Sequence, residues 1–148
     1  MINSYIPREE WVAKDGMKLE KEAEKAVRFE GNASVLAGPG AGKTELLAQK
    51  ACFLLETNTC PYPKKILAIS FKRDSAKTLK ERVERRCAKE FSDRFVSLTY
   101  DSFAKQLLDR FNHGIPIKYR PSKDYQIQTF YFNDVKRFQA EVAKLYDF

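Results

Sequence analysis

Residues 37 to 44, Ala37-Gly38-Pro39-Gly40-Ala41-Gly42-Lys43-Thr44, set glycines, an ammonium and a hydroxyl in an order suited to holding a polyphosphate. Glycines let backbone N–H groups turn inward, a helix opening at Lys43 adds the partial positive charge of its N-terminus, and Lys43 adds a full charge. In this pattern Lys43 reaches the outer phosphates of ATP, and Thr44 gives its hydroxyl to the Mg2+ that travels with the nucleotide. The strict pattern opens on Gly where this chain has Ala37. The A-x-x-x-x-G-K-T form keeps the residues that touch phosphate. A glycine-rich turn is also common punctuation between elements, so the reading rests on what surrounds it.

The chemistry needs a strand before the loop and a helix after it. Ala33 to Ala37 reads as a short apolar strand. Leu46, Leu47, Ala48, Ala51, Cys52, Phe53, Leu54 and Leu55 leave only a narrow polar stripe through Glu45, Gln49 and Glu56, which predicts a helix packed on a buried sheet. Further along, Ile66 to Phe71 reads as a second, buried strand and about Asp74 to Lys89 as a helix with a core stripe of Ala76, Leu79, Val83 and Cys87. Phe95 to Tyr100 is a third strand, followed by a helix from Ser102 to Phe111 with Asp101 as its N-cap. Such alternation predicts an α/β fold of the phosphate-loop type, a parallel sheet flanked by helices.

Ahead of the loop, Leu19, Ala23, Ala26 and Val27 recur at helical spacing between Lys18 and Glu30, and Gly31-Asn32 ends that helix. Tyr5 and Trp11 are expected to pack on the domain. Past Phe111, Gly114, Pro116 and Pro121 mark a linker. An extended YQIQTFYF segment follows, then a helix with Val135, Phe138, Val142 and Leu145 on one face.

The chain has 148 residues, 27 Lys and Arg against 20 Asp and Glu, and a net charge of +7. That length forms a real core, and the basic surplus in a nucleotide binder favours a polyanionic partner, most simply nucleic acid, or else a solubility surplus. Arg82, Arg85, Arg86 and Lys89 gather on one helix flank, which either faces a phosphate backbone or is a solvated face, as the pairs Lys80 with Glu84 and Glu81 with Arg85 favour. Three cysteines, Cys52, Cys60 and Cys87, are odd in number and widely spaced, a reduced intracellular pattern with neither a disulfide frame nor zinc pairing. The single His113 reads as a surface residue. No run approaches a membrane span and the N-terminus lacks signal-peptide form, so the expected place is the cytoplasm.

Three segments together resemble the first RecA-like domain of UvrD/Rep-type superfamily I DNA helicases. AGPGAGKT (37 to 44) is similar to that family's motif I, ILAISFKRDSAKTLKERV (66 to 83) to its motif Ia, and LTYDSFAKQLL (98 to 108) to the motif that follows. The rhythm of 119 to 147 resembles the start of the family's helical insertion. The resemblance implies ATP-driven movement along single-stranded DNA, including at duplex junctions, with residues 1–112 as the front of the ATP-binding domain and 113–148 as linker and the start of the insertion. It places Lys43 and Thr44 at ATP and Mg2+, and Ser70, Phe71, Lys72, Tyr100 and Asp101 along the DNA track. Phe71 and Tyr100 either grip bases by stacking or end buried strands and pack in the core.

The chain departs from the family in three places. Ala23 stands where the family's glutamine recognises adenine, and Asp101 where the third motif commonly has His. No apolar strand ends in the Asp-Glu pair that positions Mg2+ and the attacking water. The expectation is therefore an N-terminal fragment, with the remainder of the parent polypeptide as partner, which by itself binds nucleotide and scarcely turns it over. Two alternatives are a stand-alone phosphate-loop or kinase-like protein, whose acid would have to be Asp109, and a non-enzymatic nucleic-acid-binding module.

Overall fold

The computed structural model describes residues 4–122, 124–125 and 134–146. The chain forms two compact units, residues 1–107 and 108–148. In chain order the elements are α1 (Lys21–Arg28), α2 (Lys43–Glu56), β1 (Ile66–Ser70), α3 (Arg73–Arg86), α4 (Lys89–Ser92), β2 (Phe95–Thr99), α5 (Tyr100–Arg110) and α6 (Val135–Tyr146). Single 3-10 turns lie at Lys14–Gly16, Asn112–Gly114 and Ile117–Tyr119.

β1 and β2 pair in parallel, with Ile66 opposite Phe95 and Ser70 opposite Thr99. Parallel neighbours need a crossover, and here α3 and α4 supply it, α3 packing on both strands. This is the expected α/β class, a parallel sheet flanked by helices, with two strands where three were expected. Residues 33 to 37 take no part in it. Their apolar run reads as a strand, yet a strand exists only through a ladder partner, and no described residue pairs with this segment. Leu36 is accordingly 95% exposed.

The buried second strand is also corrected. β1 alternates half-buried and exposed positions, with Leu67 and Ile69 on the exposed face. One face of a two-stranded sheet is covered here by α3, so apolar residues on both faces of the strand do not mean two covered faces. α2 packs chiefly on α1, α3 and α4, and its polar stripe is not a solvent stripe. Gln49 is fully buried and Glu56 nearly so, whereas Leu47 is exposed.

Those polar groups hold the N-terminal arm. Gln49 Oε1 accepts the Lys14 backbone N–H at 2.8 Å and Gln49 Nε2 donates to the Lys14 carbonyl at 3.3 Å. Glu56 takes the Trp11 indole N–H and an ion pair from Lys14 Nζ, each at 2.8 Å. As expected, both arm aromatics pack on the domain. Trp11 meets Phe53 edge-on with centroids 5.4 Å apart, and Tyr5 lies 5.9 Å from Phe91. They join Val27, Leu55, Leu79, Val83 and Phe95 in and around one core.

Lys50 bridges α2 to α1. Its Nζ donates to the carbonyls of Ala26, Val27 and Phe29 at 3.0, 3.1 and 2.6 Å, which satisfies orphan acceptors at the end of α1. Burial pushes the Lys50 pKa below its ordinary value. Arg94 pins the loop before β1 by donating Nε to the Lys64 carbonyl at 2.9 Å and Nη2 to the Cys60 carbonyl.

The cap of α5 is Thr99, not Asp101. Thr99 Oγ1 accepts the Ser102 N–H at 3.2 Å, and Asp101 sits inside the first turn. A hydroxyl at the strand's last residue reaches the N3 amide before the next carboxylate can. In the second unit, Arg120 Nη2 donates to the carbonyls of His113 and Ile115, both at 3.0 Å. Tyr125 Oη donates to Asp109 Oδ1 at 2.7 Å. Most of the YQIQTFYF segment lies outside the described residues.

Candidate nucleotide and nucleic-acid site

α2 opens on a glycine and therefore without a side-chain cap. Gly42 is the N-cap residue at φ 73°, no side chain bonds the first-turn amides, and the Leu46 N–H begins the helical ladder on the Gly42 carbonyl at 2.9 Å. The N–H groups of Lys43, Thr44 and Glu45 precede that first bond, so they belong to the donors that a helix cannot satisfy by itself. Gly40, at φ 77°, is the second left-handed residue of the loop. A Cβ at Gly38, Gly40 or Gly42 would meet nothing within 4 Å. Gly40 and Gly42 are there for backbone conformation, and the open space around all three glycines fits a bound phosphate chain.

Lys43 lies over this loop. Its Nζ donates to the carbonyls of Ala37 and Gly38 at 2.7 and 2.6 Å. The Ala41 N–H donates to the Gly38 carbonyl at 3.3 Å, which closes the turn through Pro39. Thr44 is half-buried on the first helical turn. The eight residues singled out in the sequence are thus one loop and one helix start, with a cation already held against the loop. ATP and Mg2+ would add a polyphosphate and a divalent charge. Lys43 and the amides suit the first and the Thr44 hydroxyl suits the second.

The nucleic-acid candidates also come together. Because Ser70 is opposite Thr99 in the ladder, Phe71 and Lys72 leave β1 beside the point where Tyr100 and Asp101 leave β2. Phe71 is 95% and Tyr100 66% exposed. Of the two readings open for these rings, burial in the core is therefore excluded. Carboxyl ends of parallel strands are where open α/β sheets present their ligands.

The arginine flank divides. Arg82 Nη1 and Arg86 Nη2 each reach Glu45 Oε2 at 2.9 Å, and Arg86 Nε lies 3.3 Å from Asp15 Oδ2. These two side chains face α2 and the arm, while Arg85 and Lys89 remain exposed. Sequence reasoning missed this because Glu45 reads as a solvent position. The available signal was an acid at the first turn of α2 and two arginines four residues apart on α3. Among the described residues, no group of three or more His, Cys, Asp or Glu is arranged to hold a metal.

Residues 19–146 match the UvrD/REP helicase N-terminal domain. The chain is similar to an ATP-dependent DNA helicase PcrA of Staphylococcus epidermidis, 37% identical over 94 residues, covering 62% of this chain and 12% of the relative. A PcrA of Staphylococcus aureus is 32% identical over 91 residues, 61% of this chain and 12% of that protein. A probable DNA helicase II homolog of Mycoplasma capricolum is 35% identical over 74 residues, 50% of this chain and 10% of that protein. The chain thus spans about a tenth of the length of the relatives it matches. With the matched region running from the helix before the glycine loop to the end of α6, the chain belongs to the UvrD/REP helicase N-terminal domain family.

Proposed function

We propose that this chain seats Mg-ATP for an ATP-dependent DNA helicase or translocase, with residues 37 to 44 as the phosphate cradle. The observation that carries the reading is the uncapped start of α2 behind two left-handed glycines, with Lys43 held over the same loop. The first-turn amides bind phosphate oxygens, Lys43 moves from the loop carbonyls to the outer phosphates, and the Thr44 hydroxyl holds Mg2+. When bound, that ion neutralises charge on the phosphates and orients them for attack by water. Phe71 and Tyr100 offer exposed faces to bases of single-stranded DNA, Lys72 offers charge to its backbone, and Ser70 and Asp101 line the same edge.

The chain alone binds nucleotide and splits it slowly. Phosphoryl transfer depends on an acidic group beside the metal, whereas β1 ends in Ser70 and β2 in Thr99. In this reading the acid, the second half of the nucleotide site and the rest of the motor belong to further polypeptide. The protein works in the cytoplasm; among the described residues no helix is long and apolar enough to cross a membrane.

Calorimetry of Mg-ATP against the chain and its Lys43→Ala variant tests the cradle. Binding by the parent chain and none by the variant is expected; equal affinities would refute the assignment.

A further inference from the structure

Glu45 follows Thr44 immediately and sits in the first turn of α2. A carboxylate there is favourable to the helix dipole but competes with a polyphosphate for the same partial charge and repels it. This one is not left bare. Its Oε2 accepts from Arg82 Nη1 and Arg86 Nη2, both at 2.9 Å, and its Oε1 accepts from Gln49 Nε2 at 3.0 Å. The Glu45 side chain is 13% exposed and that of Arg86 7%. Charges so enclosed are screened far less than surface charges.

We infer that Arg82 and Arg86 form a charge-masking clamp on Glu45 that lets the phosphate loop accept a polyanion. The inference rests on the nucleotide reading above and adds positioning residues to it. With Asp15 counted, the cluster of Asp15, Glu45, Arg82 and Arg86 carries no net charge. Removing one guanidinium leaves it at −1 beside the loop; neutralising Glu45 leaves it at +1. The hydrogen bonds also turn the carboxylate toward α3 and α2's own second turn, so that the first-turn amides stay available to ligand. Arg82 is the better probe because its side chain is 36% exposed and its loss leaves Arg86 to hold the helices together.

The experiment compares Mg-ATP affinity at low and high salt for the parent chain, Arg82→Gln, Glu45→Gln, the double variant and Lys43→Ala, with a melting curve for each. Arg82→Gln is expected to weaken binding about three- to tenfold at low salt, Glu45→Gln to tighten it, and the double variant to return within about twofold of the parent, with the differences shrinking as salt rises. A purely structural role moves both single variants the same way and gives no such rescue. If the parent binds, Lys43→Ala does not, and Arg82→Gln binds like the parent or Glu45→Gln binds more weakly, the clamp is overturned and the cradle stands. If parent and Lys43→Ala bind alike, the cradle itself is refuted and the clamp falls with it.

Discussion

The Trp11 indole N–H donates to Glu56 Oε2 over 2.8 Å, although 45 residues of chain separate them. The bond lies at the end of α2 farthest from the glycine loop, and with the Gln49 pairing to the Lys14 backbone it fastens the N-terminal arm along that helix. The arm is therefore part of the body that holds α2. Trp11→Ala removes the largest fully buried side chain and leaves Glu56 with Lys14 alone, so a loss of about 3–5 kcal/mol is expected. Urea unfolding followed by circular dichroism measures it. Glu56→Gln keeps the volume and the acceptor but breaks the Lys14 ion pair, and should lose less.

Gly42 tests the backbone argument. Nothing surrounds its missing side chain, so Gly42→Ala is expected to cost about 1–2 kcal/mol through the left-handed conformation alone. The same change should weaken Mg-ATP, because relieving φ re-aims the amides of Lys43 and Thr44. An alanine variant with unchanged stability and unchanged affinity would show that the left-handed conformation at Gly42 matters to neither.

How far these features were legible in the sequence depends on the range of the interaction. Gly38 to Thr44, the bounds of α3 within a few residues and the parallel β1–β2 pairing follow from local propensity and from the rule that alternating strands and helices cross over. The sequence marks Glu45, Gln49 and Glu56 only as a polar stripe, because their partners, Arg82, Lys14 and Trp11, come from distant sequence, and periodicity cannot distinguish a solvated polar face from a satisfied one. The run at 33 to 37 failed for the opposite reason. Its apolar run reads as a strand, and only a ladder partner would make it one. At the site, the side-by-side placement of Phe71 and Tyr100 required the Ser70–Thr99 register, which no local pattern encodes.

Phe71 and Tyr100 separate binding from stability. Both rings are largely exposed, so Phe71→Ala and Tyr100→Ala should leave the unfolding free energy within about 0.5 kcal/mol of the parent. Each should weaken binding of a short single-stranded oligonucleotide by roughly 1–3 kcal/mol if it stacks on a base. Fluorescence anisotropy at two salt concentrations reads both parts, since the Lys72 contribution falls with salt and the stacking contribution falls much less. Unaltered affinity in both variants would take the strand ends out of the DNA track.

The open face of the sheet predicts behaviour in solution. Leu67 and Ile69 lie on it, and an apolar groove of about 300 Å³ runs between β1 and α2 past Leu47, Ala51 and Leu54. Contiguous exposed apolar surface of this kind promotes association. Ile69→Lys should therefore raise the concentration at which the chain stays monomeric in light scattering while leaving its melting temperature nearly unchanged. A large fall in melting temperature would mean that Ile69 is more deeply packed than its exposure indicates.

The three thiols should react in order of burial, and their chemistry gives a probe of the core. Cys52 and Cys87 are buried and Cys60 is half-buried. The hydrogen bond of the Cys87 thiol to Cys52, followed by burial, pushes that thiol well above its ordinary pKa. A raised pKa keeps the neutral form at pH 8, and the thiolate is the nucleophile, so Cys87 is disfavoured by access and by ionisation together. In the folded chain a thiol-reactive dye at pH 8 should label Cys60 first and leave Cys52 and Cys87 unreacted until the core opens; in denaturant all three should react. Because Cys52 is on α2 and Cys87 closes α3, their labelling rate reports separation of the two helices that Glu45 and the arginines join. Arg82→Gln should speed it only modestly, since Arg86 still spans the gap. Rapid native labelling of Cys87 ahead of Cys60 would contradict the packing of α3 against α2.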